Sequence, residues 1–481
     1  MASLQAAGDP KDPHRQRGPI RLQPTGLSSS PLSSSAPLLV AALLFIVITG
    51  AAEADRGHRR PIPSILLSTD VALGVSDTHG GKSLSPVVIP EDASQGNKDP
   101  EKVPADIDDG LTLTMAINLD RDRKLRLLAV VPIFGNATLP AEMMVARQIA
   151  RRLKGAFRLP IVPGALGPAG QILHPTPTWF DGRPVTVAGK RGSFASSCEN
   201  LGVAEMRRQL RRSKRRVTIL AIGPLTDVAC LLTTSRRSET RKIEEVIVLA
   251  SQLEGEPLQI NDKVVNDFNF RMDPLGGTLF LAEAAAQRVP VRLMVFSLTG
   301  QTSQADDLIP FDGAHFTGPS RPTPSSQASL TWLLEASEPR NAFWSGTFGT
   351  AEGPFDQYAL VAAIWPELFD CRRAKAYVLE CPYPAWSAEF DASVEVPYNT
   401  PGNPCVDHSE GHPGLKEVPA QLIVSLDPGD EGALVRGRFG IDGNLPDLDA
   451  AAAEVTACID FKRDGGASRQ RFQEVLEAYT W

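Results

Sequence analysis

The sequence predicts an α/β domain, Rossmann-like, in which a mostly parallel sheet is flanked by helices. Two observations predict it. From Ser64 onward, short β-branched runs alternate with longer stretches of helical spacing, the pattern of parallel strands joined by crossover helices. The chemistry-bearing residues also follow the ends of those runs, and open sheets of this kind bind ligands beyond the carboxyl ends of their strands.

In order, Ser64 to Thr69 reads as a buried strand ending at Asp70, and Leu125 to Ile133 as another that runs into Phe134-Gly135-Asn136. Ala141 to Lys154 has helical spacing, and Leu159 to Val162 reads as a short strand. Val217 to Ile222 is a strand entering Gly223-Pro224-Leu225-Thr226-Asp227, and Glu245 to Ala250 and Val291 to Leu298 follow the same logic. Two polar stretches, 75–105 and 313–326, read as surface insertions because they carry few large apolar residues.

Ahead of this domain, residues 1–35 are rich in Pro, Ser, Gly and Gln, a composition too poor in apolar surface to fold, so a disordered tail is expected. Residues 36–52 then run for 17 positions without a charge. A membrane-spanning helix takes about 20 apolar residues and a signal-peptide core about 7 to 15. The segment 36–54 therefore reads as a signal anchor or a signal peptide, with Ala52-Glu53-Ala54 matching the small-x-small cleavage rule. Lys11, Arg15, Arg17 and Arg21 outnumber Asp9 and Asp12, which favours a cytosolic N-terminus. Residues 55–481 would then lie in a lumenal or extracellular space, delivered by the secretory pathway or held at a membrane through 36–52.

With 49 basic and 56 acidic residues the net charge is −7, which disfavours a polyanion partner. Arg207 to Arg216 holds seven basic residues but no aromatic ones, so it reads as the solvated face and end of a helix and nucleic acid is set aside. The six cysteines show no CxxC spacing and make no zinc site. Cys371, Cys381 and Cys405 are near enough in sequence for one disulfide if the domain is lumenal.

Asp106-Ile107-Asp108-Asp109-Gly110 opens the apolar run Leu111 to Ile117. Three carboxylates in four residues repel one another unless a cation sits between them. A hard divalent metal meets that need, because Ca²⁺ takes about six to eight oxygen ligands. The plainer alternative is the acidic first turn of a solvated helix.

Asp70 with Val71-Ala72-Leu73-Gly74, then Asp106 to Gly110, resembles a split form of the DTDxGxDD signature of the inosine-uridine preferring nucleoside hydrolases. The resemblance continues in chain order to Trp481. It implies the nucleoside hydrolase fold, a bound Ca²⁺, and hydrolysis of ribonucleosides to ribose and free base. Carried over residue by residue, the metal ligands are Asp70, Asp109, the carbonyl of Ile222 and Asp356. Asp108 corresponds to the general base that takes a proton from the attacking water. The sugar side is implied at Asn136, Leu249, Asn261, Asp267 and Asn269, the last three spaced as the family spaces them. Asp267 replaces the usual Glu and so has a shorter reach. Asn136 also heads an Asn-Ala-Thr sequon, but placement in a pocket disfavours glycosylation there.

The resemblance is imperfect in four further places. Ser68 replaces the first Asp of the signature, the 75–105 insertion splits the metal loop, and Leu249 stands where a Met is common. Phe355 stands where several members place the His that protonates a purine leaving group. His174, beside Pro175 and near Trp179, is a further candidate for contact with the base. The expected partners are a nucleoside and, through 36–52 if uncleaved, a membrane; a homo-oligomer is compatible with the resemblance. An impaired nucleoside-binding protein of the same fold is the alternative function.

Overall fold

A computed structural model describes residues 61–72, 75–77, 102–104, 106–136, 139–153, 158–167, 198–253, 258–260, 263–265, 267–296, 298, 340–342, 344–346, 349, 352–380, 420–426 and 453–480. The chain divides into two units, Met1–Pro61 and Ile62–Trp481, and every element below belongs to the second. The tail and anchor expected over 1–54, the second loop at 313–326, His174 and Asn261 lie outside the described residues. Among the described residues no helix is long and apolar enough to cross a membrane.

The first strand, β1 (Ser64–Thr69), is buried along its whole length. A hairpin stem of β2 (Val75–Asp77) and β3 (Lys102–Pro104) follows, and then helix α1 (Asp108–Arg121) leads to β4 (Arg126–Pro132) and α2 (Leu139–Arg152). Next come α3 (Leu201–Arg212), β5 (Val217–Ala221), α4 (Thr226–Thr234), α5 (Arg237–Thr240) and β6 (Ile243–Leu249). The short strands β7 (Gln252–Leu253), β8 (Leu258–Ile260) and β9 (Lys263–Val265) precede α6 (Phe268–Met272), α7 (Pro274–Gln287) and β10 (Val291–Met294). Helix α8 (Asp356–Ile364), β11 (Phe369–Glu380), β12 (Ala420–Ser425), β13 (Ala453–Phe461) and α9 (Ala467–Tyr479) complete the order.

The main sheet runs β4-β1-β5-β6-β10-β13-β11-β12-β7. Its first six strands are parallel, β11 is antiparallel to both β13 and β12, and β7 joins parallel to β12. Parallel strands covered on both faces read as continuous apolar runs, and β1, β5 and β6 are near-completely buried runs of that kind. Helix α1 is buried from Asp108 to Leu119, a helix of the interior, flanked by α2, α8 and α9. Tyr358 of α8 stacks on Phe472 of α9 with centroids 4.4 Å apart, and Phe369 and Phe461 close the cluster beneath it.

Three sequence expectations change. Leu159 to Val162 forms no strand but a single parallel bridge, Val130 to Ile161. Pro160 and Pro163 flank it, and a proline has no N–H to extend a ladder. The run Val291 to Leu298 is strand only to Met294, after which the Phe296 N–H turns to the Ser251 carbonyl at 2.9 Å. Cys371 pairs with Cys458 across β11 and β13, not with Cys381 or Cys405, and Cys198 pairs with Cys230. The first of these bonds joins residues 87 positions apart that neighbouring strands bring opposite each other, a proximity invisible to spacing.

Candidate active site and metal centre

The ends of four adjacent parallel strands set the site. Ser68 pairs with Ala221, Thr69 with Pro132 and Ala221 with Val248, so Asp70, Ile133, Ile222 and Leu249 come next on neighbouring strands. The Ile222 N–H donates to the Ser68 carbonyl at 2.9 Å and the Ile133 N–H to the Thr69 carbonyl at 2.9 Å, which carries the register one residue past the strands. Two glycines allow this closeness. A Cβ built on Gly135 would stand 2.0 Å from Asp70 Oδ2, and one on Gly223 would stand 2.7 Å from Asp70 Oδ1.

The insertion does not separate the halves of the loop. Val75 pairs with Pro104 and Asp77 with Lys102, so the stem of an antiparallel hairpin returns the chain beside the point where it left. Helix α1 then presents Asp108 and Asp109 in its first turn, and α8 presents Asp356 in its own. The two helix N-termini meet, with Gln357 Nε2 donating to the Asp108 carbonyl at 2.9 Å. Carboxylates gain from the partial positive charge of both ends.

Carboxylate oxygens of Asp108, Asp109 and Asp356 all lie within 4.8 Å of one another. Thr69 Oγ1 donates to Asp109 Oδ1, and Asn136 Nδ2 donates to Asp109 Oδ2 at 3.0 Å. The Asn136 N–H reaches Asp70 Oδ2 at 3.1 Å, and the Asp109 N–H reaches Asp108 Oδ1 at 2.8 Å. Asp70 Oδ1 and Asp356 Oδ2 are buried and meet no hydrogen-bond donor. Burial first, and then the neighbouring aspartates, push the Asp70, Asp108 and Asp356 carboxyls well above the usual range, and burial raises Asp109 to about 7.

Unmet buried carboxylate oxygens facing further carboxylates are what a hard cation relieves, and an all-oxygen donor set suits one. The residues present therefore fit a divalent metal, with Asp108, Asp109 and Asp356 offering the clustered carboxylate oxygens and Asp70 beside them. A separate cavity of about 350 Å³ is lined by Arg121, Arg126, Arg158 and Gln209, beside the opposite, amino-terminal ends of β1 and β4, and takes no part in this centre.

The remaining candidates occupy the end of β6. Asn269 Nδ2 donates to the Leu249 carbonyl at 3.1 Å and both residues are buried. Asp267, expected at a sugar hydroxyl, serves here as the cap of α6. Its Oδ1 accepts the Phe270 N–H at 2.9 Å and its Oδ2 the Ser251 N–H at 2.6 Å. The shorter Asp side chain brings the carboxylate back onto the backbone, where capping holds it. Ser251 itself has φ of 86°, an uncommon backbone for a non-glycine residue, steadied by that bond. Phe355 is 6% exposed and packs against Phe296 and Trp344, with ring centroids 6.0 and 5.8 Å away.

A cluster that the motifs did not single out adjoins the acids. Arg340 Nε donates to Glu352 Oε1 at 3.0 Å, and Arg340 Nη2 to Asp106 Oδ2 at 3.4 Å. Glu352 stands four residues before Asp356, a spacing visible in the sequence, whereas nothing around Arg340 marks it.

The sequence profile of the inosine-uridine preferring nucleoside hydrolases matches residues 99–429, more than half of the chain. The chain belongs to that family. Its members are metal-dependent N-ribohydrolases, and the acid cluster of this chain could bind a metal. The match begins at residue 99 and does not include Asp70, which touches the matched region through the Asn136 N–H. A plant nucleoside hydrolase, PpNRh1, aligns with TM-score 0.50 at 13% identity over 87% of this chain and 99% of its own. A purine-preferring ribonucleoside hydrolase from Gardnerella vaginalis aligns with TM-score 0.48 at 11% identity over 87% and 99%, respectively. An inosine-guanosine nucleoside hydrolase aligns with TM-score 0.48 at 13% identity over 87% and 98%. The likeness to the plant enzyme is one of fold. Comparison with curated proteins finds no match.

Proposed function

We propose that this member of the family is a Ca²⁺-dependent hydrolase of the N-glycosidic bond of ribonucleosides. The observation that carries the reading is the meeting of buried Asp108, Asp109 and Asp356 oxygens within 4.8 Å, with Asp70 beside them. Asp70, Asp109, Asp356 and the Ile222 carbonyl would hold the ion. When bound, Ca²⁺ lowers the pKa of a coordinated water and offers coordination sites to a ribose diol.

Asp108 is the general base in this reading. Its Oδ1 is oriented by the Asp109 N–H and its carbonyl by Gln357, so the carboxylate is held against rotation while it accepts a proton. The water oxygen bonds to the anomeric carbon, the proton passes to Asp108, and the C–N bond breaks with its electron pair leaving on the base. The surrounding carboxylates favour the positive charge that builds on the sugar ring. Asn136 bridges Asp109 and Asp70 and fixes both, and its amide edge is one hydrogen-bonding group for the sugar.

Phe355 favours a second reading, an impaired nucleoside-binding protein. Its ring is packed against Phe296 and Trp344 and has no proton for the leaving base. Base preference would then rest on how readily each base departs unaided.

For location, the two disulfides support an oxidising lumen or the cell exterior. We propose residues 36–54 as the anchor or signal that delivers residues 55–481 there.

Reducing-sugar release by the full chain from a panel of purine and pyrimidine nucleosides, with and without chelator, tests the function. Calcium-dependent release supports the hydrolase. Nucleoside-induced melting shifts without release support the binder.

A further inference from the structure

We infer that Arg340 is a positioning residue that ties together the two segments of the site that carry Asp108 and Asp356. The inference rests on the calcium-site reading and deepens it.

In an uninterrupted loop the backbone itself would fix the spacing between the first aspartate and the pair that follows. Here the 75–105 insertion separates Asp70 from Asp106 in sequence, and its hairpin stem brings the two sides together. Arg340 adds a hold on Asp106 from the side of the Asp356 segment. Its guanidinium reaches Asp106 Oδ2 at 3.4 Å on one side and Glu352 Oε1 at 3.0 Å on the other. Asp106 in turn accepts the Asp108 N–H through Oδ1 at 3.4 Å. Glu352 lies on the approach to Asp356, so one planar group spans the segments that carry Asp108 and Asp356, 234 residues from Asp106 to Arg340.

The geometry asks for arginine in particular. A guanidinium directs several donors in fixed, diverging directions, whereas an ammonium is a compact point charge that would favour one carboxylate. Arg340 is 8% exposed and its guanidinium lies 5.7 Å from the Trp344 ring centroid, so the fork is held from behind. Glu352 is fully buried and Asp106 partly so. Water therefore competes weakly for the Glu352 arm and more for the Asp106 arm, which makes Asp106 the link that can be cut with the least damage to folding.

Two variants cut the link from opposite ends. Asp106→Ala leaves the buried Arg340–Glu352 pair intact. Arg340→Met/Glu352→Gln removes the buried charges together, so no unpaired ion is left inside. The full chain of each is compared with the unaltered protein by hydrogen exchange over residues 106–113 in chelator, by titration with Ca²⁺ alone, and by kcat and KM for a nucleoside that the unaltered protein cleaves. Both variants are expected to lose amide protection over 106–113 and to bind Ca²⁺ at least tenfold more weakly. Protection in β5 and β6 should stay unchanged, and combining the variants should add little. A fall in kcat with the loss concentrated at low Ca²⁺ accompanies this. Retained protection and Ca²⁺ affinity within twofold in Asp106→Ala overturns the inference, because Arg340 would then serve only to neutralise Glu352. If protection is lost but the unaltered protein neither binds Ca²⁺ nor releases sugar, the function reading fails while the tie between segments stands.

Discussion

Two groups of buried aspartates lie within the same half of the sheet and meet opposite surroundings. Asp227 and Asp273 sit near the start of helices and are surrounded by donors. Asp227 accepts Asn200 Nδ2 at 2.8 Å and the Ala165 N–H, while Asp273 accepts the Gly276 N–H at 3.0 Å and the Thr226 hydroxyl. Asp70, Asp108, Asp109 and Asp356 instead face one another, with two oxygens that meet no donor. Burial raises Asp227 to about 7 as it does Asp109, so desolvation alone does not mark a site. Mutual repulsion with unmet oxygens does. The first group holds helices α3, α4 and α7 in place, and the second sets up a repulsion that a cation would relieve.

The comparison can be broken most strongly at Asp108. Asp108→Ala should lower turnover by on the order of 10² to 10⁴, the range for a general base, while the Ca²⁺ isotherm stays close to that of the unaltered protein. Loss of Ca²⁺ binding as well would make Asp108 a ligand and move the base elsewhere. A sharper contrast in sign comes from one neutralisation in each group. Asp227→Asn should cost about 1 to 3 kcal/mol in denaturant unfolding, because donors lose a charged acceptor. Asp356→Asn should abolish Ca²⁺ binding and yet raise the melting temperature in chelator, because a repelling charge is gone. If both destabilise the calcium-free protein alike, the two groups are not different in kind.

The pH dependence separates them more gently. A carboxyl raised in the folded state binds more protons folded than unfolded, so its contribution is full below the unfolded value near 4 and is lost as pH rises through the folded value. For Asp109 and Asp227, both raised to about 7, calcium-free stability should therefore decline between about pH 4 and 7. Saturating Ca²⁺ should flatten the part owed to Asp109, and Asp227→Asn the rest; melting curves across that range with and without chelator check both. The smallest effect is expected from replacing residues 78–101 by a short turn. The stem pairs Val75 with Pro104, so turnover should change less than about threefold, and an inactive folded product would show that the insertion shapes the site.

The strands were legible because their apolar runs and their positions along the chain are local properties. β1, β4, β5 and β6 fall within a residue or two of where β-branched runs and turn residues place them. The acid motif was legible because α1 begins on it, and the resemblance to the nucleoside hydrolases put Asp70, Asp109, Asn136 and Asp356 into one neighbourhood. The bonds of Asp267 to the Ser251 and Phe270 N–H groups were not legible, since which backbone N–H groups a carboxylate meets depends on the fold around it.

The alternation of strands and helices and the identity of the clustered acids could thus be read along the chain, because periodicity, turn chemistry and a motif are local. The packing of strand ends and helix N-termini, by contrast, set which carboxylate oxygens face other acids without a donor. The fold also decided that the hairpin stem closes the insertion, that Cys371 meets Cys458, and that Arg340 reaches Asp106. These contacts join residues tens to hundreds of positions apart, so pairing register and helix packing, not local spacing, bring their atoms within bonding range.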